Sequence, residues 1–112
     1  MVANSPERID HVFQALASGA RRDMLRRLSQ GDCTVGDLAR PFDMSKAAVS
    51  KHVNVLERAQ LVERRRSGRR TICHLNYEAL REATRVLDYY RQFWSDQIDS
   101  LERFLSEGRE QP

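Results

Sequence analysis

Residues 34–70 read TVGDLARPFDMSKAAVSKHVNVLERAQLVERRRSGRR, and this stretch predicts two helices followed by a strand hairpin. Thr34 is a good helix N-cap because an acidic residue stands three positions later, and Pro41 ends the short helix that Thr34 opens. Ser45 caps a second helix, which runs to about Ala59. The longest element of this stretch is therefore a capped helix that follows a shorter one after a brief turn.

The helix after Ser45 has two contrasting faces. At 100° per residue, Val49, Val53 and Leu56 share one side, which predicts the core-facing side. The opposite side carries small and polar side chains, so nothing bulky prevents it from entering a DNA major groove. Amide, ammonium and methyl groups of this kind can contact adenine, guanine or phosphate, and thymine. In chain order these residues are Lys46, Ala47, Ser50, Lys51 and Asn54.

The hairpin is predicted as strands at residues 61–66 and 71–75, joined around Ser67 and Gly68. Its arginines are placed to reach an adjacent minor groove or the DNA backbone. They are Arg64, Arg66, Arg69 and Arg70. Residues 45–70 carry eight basic and two acidic side chains, a net +6, whereas the whole chain has a net charge of only +3. A solvated helix beside a charged loop would share these features, but the concentration of charge favours a nucleic-acid partner.

The length and composition predict one globular domain. The chain has 112 residues, of which 40% are hydrophobic and 31% charged, and we expect residues 5–107 to form the domain, with flexible termini at 1–4 and 108–112. No apolar run approaches the roughly 18 residues of a membrane span, and no secretion signal is recognisable. Two cysteines are too few for a disulfide scaffold. We therefore expect a soluble cytoplasmic protein with no membrane partner.

Two further helices precede the central stretch. Ser5 and Pro6 predict the start of the first, with Ser5 as its N-cap, and residues 18–19 break it. The second is predicted over residues 20–30, with Gly31 as its stop and with an inward side at residues 24, 25 and 28. The first helix shows the amphipathic i, i+3, i+4, i+7 spacing. The apolar residues at that spacing are Ile9, Val12, Phe13 and Leu16.

One long helix is predicted from residue 76 or 77 to about residue 107, where no Pro or Gly occurs. Apolar residues recur every seven positions along it, and about 30 residues would span roughly 45 Å. Such a helix is longer than the domain is wide, and its apolar stripe requires a second helix to cover it. We therefore expect a homodimer through the first and last helices. The predicted interface comprises Ile9, Val12, Phe13, Leu16, Leu80, Leu87, Tyr90, Trp94, Ile98 and Leu101.

Three segments resemble the ArsR/SmtB family of winged helix-turn-helix transcriptional repressors. They are LASGARRDML at residues 16–25, VGDLA at 35–39 and MSKAAVSKHVNVLERAQLV at 44–62, and the resemblance covers about residues 9–105. It implies a mainly α fold of four helices, a two-stranded wing and a fifth helix. It also implies a homodimer through the first and last helices, with the fourth helix reading DNA. The chain departs from the family at Gln60, where Gly is usual, which predicts a little backbone strain.

The metal ligands of the family are not reproduced in this sequence. Where some members have a Cys-x-Cys pair, this chain has Thr34 and Gly36, with Cys33 one place out of register. A second family site lies on the last helix, which here offers carboxylates but no His or Cys. Carboxylates alone do not select zinc, nickel or arsenite. Cys73 and His74 are adjacent on a strand and point to opposite faces. We expect no metal and no cofactor.

Several residues allow two interpretations. Cys33 precedes a helix and has arginines nearby, and both features lower the pKa of a thiol. We nevertheless favour a Cys33 without a functional role and a Cys73 that is a small buried apolar residue. His52, on the flank of the fourth helix, is expected to bond a neighbouring backbone group or a DNA phosphate. Arg21 and Arg22 are either a solvated pair or phosphate contacts.

Together these features predict a regulator that binds double-stranded operator DNA at an inverted repeat and represses transcription. No catalytic constellation or phosphate-binding loop is present, so we do not expect an enzyme. Three alternatives stay open: a sensor that responds to a ligand, metal or thiol oxidant at a non-standard site, a nucleoid-type protein without sequence preference, and a protein-interaction module. The sequence leaves the inducer, if any, unknown.

Overall fold

A computed structural model of the protein describes the backbone of residues 6–110 and the side chains of residues 8–108. It contains five α-helices and three short strands within that range. In chain order they are α1 (Pro6–Leu16), α2 (Gly19–Leu28), β1 (Cys33–Thr34), α3 (Val35–Ala39), α4 (Lys46–Arg58), β2 (Val62–Ser67), β3 (Arg70–Leu75) and α5 (Tyr77–Glu110). The five helices follow the predicted boundaries to within three residues at each described end.

The starts of α3 and α4 are set by side-chain caps that the sequence predicts. Thr34 Oγ1 accepts a hydrogen bond from the Asp37 amide at 3.0 Å and opens α3. Ser45 Oγ accepts one from the Ala48 amide at 3.1 Å and opens α4. Each cap satisfies an N–H group that has no partner within its own helix. The predicted caps of α3 and α4 are thus confirmed, whereas the predicted cap at Ser5 lies outside the described residues.

The sheet differs from the prediction by one strand. The hairpin β2–β3 is confirmed, with Ser67 opposite Arg70 and Gly68 at φ 64° in the two-residue turn. The two-residue strand β1 pairs with the other edge of β3, so the sheet has three antiparallel strands in the order β1-β3-β2. A strand of two residues has no alternation of burial along the chain, and only its tertiary pairing defines it. We call the hairpin β2–β3 the wing.

The core lies between the helices and the sheet. The predicted inner face of α4 is confirmed, because Val49, Val53 and Leu56 have no exposed surface. Residues 24, 25 and 28 of α2 are likewise buried as predicted. Val12 of α1 is also fully buried within the single chain, so its predicted role at a dimer interface is wrong. Periodicity identifies the apolar side of α1 but does not show which of its residues the protomer itself covers.

Only the first part of α5 packs against the rest of the chain. There Glu82, which is buried, lies 3.4 Å from Arg8 of α1 in an ion pair between the two helices. The helix has 34 residues, about 51 Å in length, and from Leu87 onward its large apolar side chains are exposed. Within the described part of the chain, no helix has both the length and the apolar character needed to cross a membrane.

Candidate nucleic-acid interface

The short helix α3 and the turn after it hold α4 at the surface with one side free. Of the residues predicted for this side, Lys46, Ala47, Lys51 and Asn54 are exposed and Ser50 is half-buried. The inner side of the same helix is locked into the core by three fully buried residues. The structure therefore gathers the five predicted base-reading residues on one accessible surface, which we call the α4 face.

A basic cleft of about 460 Å³ separates the start of α4 from the wing. Side chains from both elements line it, together with residues 34–36, where α3 begins. The cationic residues that line it are Lys46, Arg64, Arg69 and Arg70. The exposed Arg66 extends the same positive surface along the wing. All four arginines predicted on the hairpin thus belong to the wing, and three of them, Arg66, Arg69 and Arg70, are exposed.

Arg64 occupies a different position from the other wing arginines. Its side chain is only 26% exposed, and its Nε lies 3.5 Å from Glu57 Oε1 on α4. One of its terminal nitrogens donates a hydrogen bond to Asn54 Oδ1. The guanidinium therefore bridges the wing and the α4 face instead of projecting into solvent. The spacing of Asn54 and Glu57, three positions apart, places them near each other on α4 but does not show that a wing arginine reaches them.

Arg21 joins the end of α1 to α4. Its Nε donates to the Ala15 carbonyl at 2.7 Å and one terminal nitrogen donates to the Gln14 carbonyl at 2.9 Å. The other terminal nitrogen lies 3.3 Å from His52 Nδ1. Because a guanidinium only donates, His52 Nδ1 accepts, and its Nε2–H stays available as a donor. Arg22 similarly donates to the Leu16 carbonyl at 2.7 Å. Neither arginine is a purely solvated side chain.

The two thiols are buried and lie opposite each other, Cys33 on β1 and Cys73 on β3. Burial raises the pKa of both thiols, and at Cys33 the nearby Arg27 only partly opposes this effect. The pKa of Cys33 is therefore not lowered by its position before a helix, because desolvation of the thiolate dominates, and the alternative of a reactive Cys33 is wrong. A buried thiol with a raised pKa is a poor nucleophile. The neighbouring His74 instead bonds Asp32 through Nδ1, at 2.8 Å.

Potential metal ligands do not converge in the described residues. No three side chains among their His, Cys, Asp and Glu residues lie close enough together to hold an ion.

Comparison with known proteins identifies a helix-turn-helix domain and related transcriptional regulators. A family described as a helix-turn-helix domain matches residues 16–65, which contain α2, α3 and α4. The chain is 38% identical over 100 residues to the HTH-type transcriptional regulator Rv2034 of Mycobacterium tuberculosis, covering 88% of this chain and 91% of that protein. It is 35% identical over 75 residues to the transcriptional repressor SdpR of Bacillus subtilis, covering 67% of this chain and 83% of that one.

Solved structures show the same relationship. The fold matches the crystal structure of the ArsR family transcriptional regulator RHA00566 with a TM-score of 0.75 and 35% identity, over 84% of this chain and 97% of that chain. It also matches Mb0332 of Mycobacterium bovis, described as a homodimeric winged helix-turn-helix DNA-binding domain. The TM-score is 0.63 at 25% identity, over 85% of this chain and 95% of that one. Since the similarity to these relatives extends over nearly the whole fold, the chain belongs to the ArsR family of winged helix-turn-helix transcriptional regulators.

Proposed function

We propose that the protein is a homodimeric repressor that binds an inverted-repeat operator in double-stranded DNA, most simply upstream of its own gene. The observation that carries this proposal is the α4 face, a helix side of small and polar residues standing free beside a basic cleft. A helix of this kind fits a major groove, and a positively charged wing beside it fits the adjacent backbone. The activity proposed is occlusion of a promoter, with no chemistry on the DNA.

Each part of the surface has a separate role in this proposal. The base-reading residues are on the α4 face, where amide and ammonium groups meet base edges. They are Lys46, Ala47, Ser50, Lys51 and Asn54. Ser45, the N-cap of α4, and the Nε2–H of His52 contact phosphates flanking the groove. The exposed wing arginines Arg66, Arg69 and Arg70 supply affinity for the backbone, which does not depend on sequence.

The dimer is supported by the surface of α5. Leu87 and Trp94 are 52% and 56% exposed, and the apolar residues after them continue on the same side of the helix. A soluble chain rarely leaves so long a row of large apolar side chains uncovered, so we expect a partner to cover it. A second copy of the chain supplies a matching row by symmetry. The homodimeric description of the related Mb0332 supports the same assembly.

The predicted interface residues fall into two groups. Ile9, Phe13 and Leu16 of α1 and Leu80 of α5 are half-buried, and they form the part of the interface nearest the core. The second group, which the protomer leaves exposed, is Leu87, Tyr90, Trp94, Ile98 and Leu101. A two-fold axis through α1 and α5 would set the two α4 helices about one DNA turn apart, roughly 34 Å.

Selection of bound duplexes from a random library, followed by footprinting of the best one, tests this proposal. We expect two similar half-sites in inverted orientation, with centres about 10 base pairs apart, and two protein chains per duplex by light scattering. Recovery of unrelated duplexes after several rounds would contradict the proposal, because it would show binding without sequence preference.

A further inference from the structure

The contacts of Arg64 separate it from every other arginine of the wing. Arg66, Arg69 and Arg70 are exposed, whereas the guanidinium of Arg64 lies against α4. There it makes an ion pair with Glu57 and donates a hydrogen bond to Asn54 Oδ1. A guanidinium held in this way is not free to follow a phosphate. The role of Arg64 is therefore to be found in its contacts with α4.

The bond to Asn54 determines which end of that amide faces outward. An asparagine amide has an accepting oxygen and a donating nitrogen, and the two exchange places when the side chain turns over. Because a guanidinium only donates, it can satisfy the oxygen but not the NH₂ group. With Oδ1 bound to Arg64, the Nδ2–H groups are left to face away from that contact. The amide is thus oriented before any DNA arrives.

The role of Glu57 follows from the geometry of the guanidinium. Its Oε1 lies 3.5 Å from Arg64 Nε, on the same side of α4 as Asn54. A planar fork can meet a carboxylate with one edge and an amide oxygen with another, while a lysine ammonium on a flexible stem cannot bridge two groups so rigidly. The contact with Glu57 is an ion pair without a hydrogen bond at Nε, and its charge attraction holds Arg64 against α4, where Arg64 bonds Asn54.

We infer that Arg64 is a positioning residue for base recognition, which holds the Asn54 amide so that Nδ2 donates to an acceptor on a base edge in the major groove. Such acceptors are purine N7, guanine O6 and thymine O4. The inference rests on the proposed function, since it specifies how the α4 face reads its operator. It also reassigns Arg64, which the sequence groups with the arginines that contact the DNA backbone.

The test uses the duplex selected from the random library by the wild-type protein, together with all its single-base-pair variants. Dissociation constants are measured by fluorescence anisotropy across a salt series for Arg64→Met, Arg64→Lys, Asn54→Ala and the Arg64→Met/Asn54→Ala double variant. Arg69→Met is the matched control, because it removes the same charged group from an exposed wing position. Thermal unfolding of each variant establishes that it is folded.

We expect Asn54→Ala to lose about tenfold in discrimination at one base pair of each half-site. Both Arg64 variants should lose discrimination at that same base pair, and the double variant should be no worse than Asn54→Ala alone. The slope of log K against log salt should stay as in the wild type for Arg64→Lys and Arg64→Met. Arg69→Met should weaken binding to every duplex equally and reduce the slope by about one.

Two results would overturn the inference while leaving the proposed function intact. One is a reduced salt slope for Arg64→Met like that of Arg69→Met, which would mean a phosphate contact. The other is an additive loss in the double variant, which would mean that Arg64 and Asn54 act separately. If Arg64→Met does not fold, discrimination at the same base pair is measured with Arg64→Lys and Glu57→Gln instead. A wild type that selects no common sequence would overturn the proposed function itself.

Discussion

Cys33 and Cys73 lie directly opposite each other on neighbouring antiparallel strands, and both are buried free thiols. Burial raises the pKa of each above the ordinary thiol value of 9.0, because the thiolate would lose its hydration. A thiolate at Cys33 would also raise the pKa of Cys73 across the strands. The two thiols lie between β1 and the wing strand β3. Because their pKa values differ between the folded and the unfolded chain, their protonation state is linked to folding.

The raised thiol pKa values predict how stability responds to alkaline pH. Above about pH 9 the unfolded chain releases its thiol protons while the folded chain retains them, so the free energy of unfolding falls as pH rises. The Cys33→Ala/Cys73→Ala variant lacks this contribution and should lose less stability between pH 8 and pH 10. Urea unfolding at both pH values measures the difference. Equal losses in the variant and the wild type would show that the thiols are not linked to folding in this way.

The exposed apolar side of α5 predicts the effect of substitutions on assembly. Trp94→Ala and Leu87→Ala remove side chains that the protomer leaves more than half exposed, so the protomer should stay folded. Each removes apolar area from the proposed interface, at a cost of about 2 kcal/mol or more in dimerisation. Light scattering at low micromolar concentration should then show monomers. Gln92→Ala, on the opposite side of the helix, is the control, and a dimer that persists in both Trp94→Ala and Leu87→Ala would contradict the assignment.

The contacts of Arg21 predict a structural cost for its removal. Arg21→Met removes the side-chain donor of the Ala15 carbonyl, leaves the Gln14 carbonyl with the Ala17 amide as its remaining donor, and releases His52. We expect stability to fall by about 2 kcal/mol, as for the loss of two partly buried hydrogen bonds and an exposed one. The exposed pair of Arg26 with Asp23 offers the control, because Arg26→Met should change stability by less than about 0.5 kcal/mol. Chemical denaturation compares the two, and equal small effects would show that Arg21 is not structurally important.

Lys51 is exposed on the α4 face and is a proposed base contact. Lys51→Ala should weaken binding to the operator by about 1–3 kcal/mol, while binding to random DNA changes little. Arg103→Ala removes an equal charge from the far part of α5 and should leave both affinities nearly unchanged. Anisotropy titrations with both duplexes provide the comparison. If Lys51→Ala lowers both affinities by the same factor, Lys51 contacts phosphate and does not read a base.

The backbone at Gln60 carries the strain that the sequence predicts. Its φ is 61°, a conformation that favours glycine, and it follows the end of α4 where family members usually have Gly. Gln60→Gly should raise stability by about 1 kcal/mol, because glycine adopts this left-handed conformation without the clash that a Cβ makes. At Gly68, whose φ is 64°, Gly68→Ala should have the opposite effect. Paired thermal unfolding curves test both, and a Gln60→Gly variant less stable than the wild type would contradict the expectation.

The elements that could be predicted from the sequence are those determined by local chemistry. Thr34 and Ser45 cap helices through their own hydroxyls, and the core side of α4 follows from its periodicity. The contacts that could not be predicted join residues distant in the chain. Arg21 reaches His52 across 31 positions, and the pairing of β1 with β3 depends on the tertiary fold. Side-chain direction on a surface hairpin is likewise not encoded in the residue type alone, so Arg64 could not be distinguished from the arginines that face solvent.

The most direct test of operator-specific repression is a fluorescence-anisotropy titration against the DNA upstream of the protein's own gene. A scrambled duplex of equal length serves as competitor, and the salt concentration is varied in reducing buffer that contains a chelator. Operator-specific repression requires tight, salt-sensitive binding that the scrambled duplex does not displace, and we expect this result. Equal affinity for the two duplexes would contradict it, and binding that appears only after a metal is added would contradict the expectation of a regulator that needs no metal.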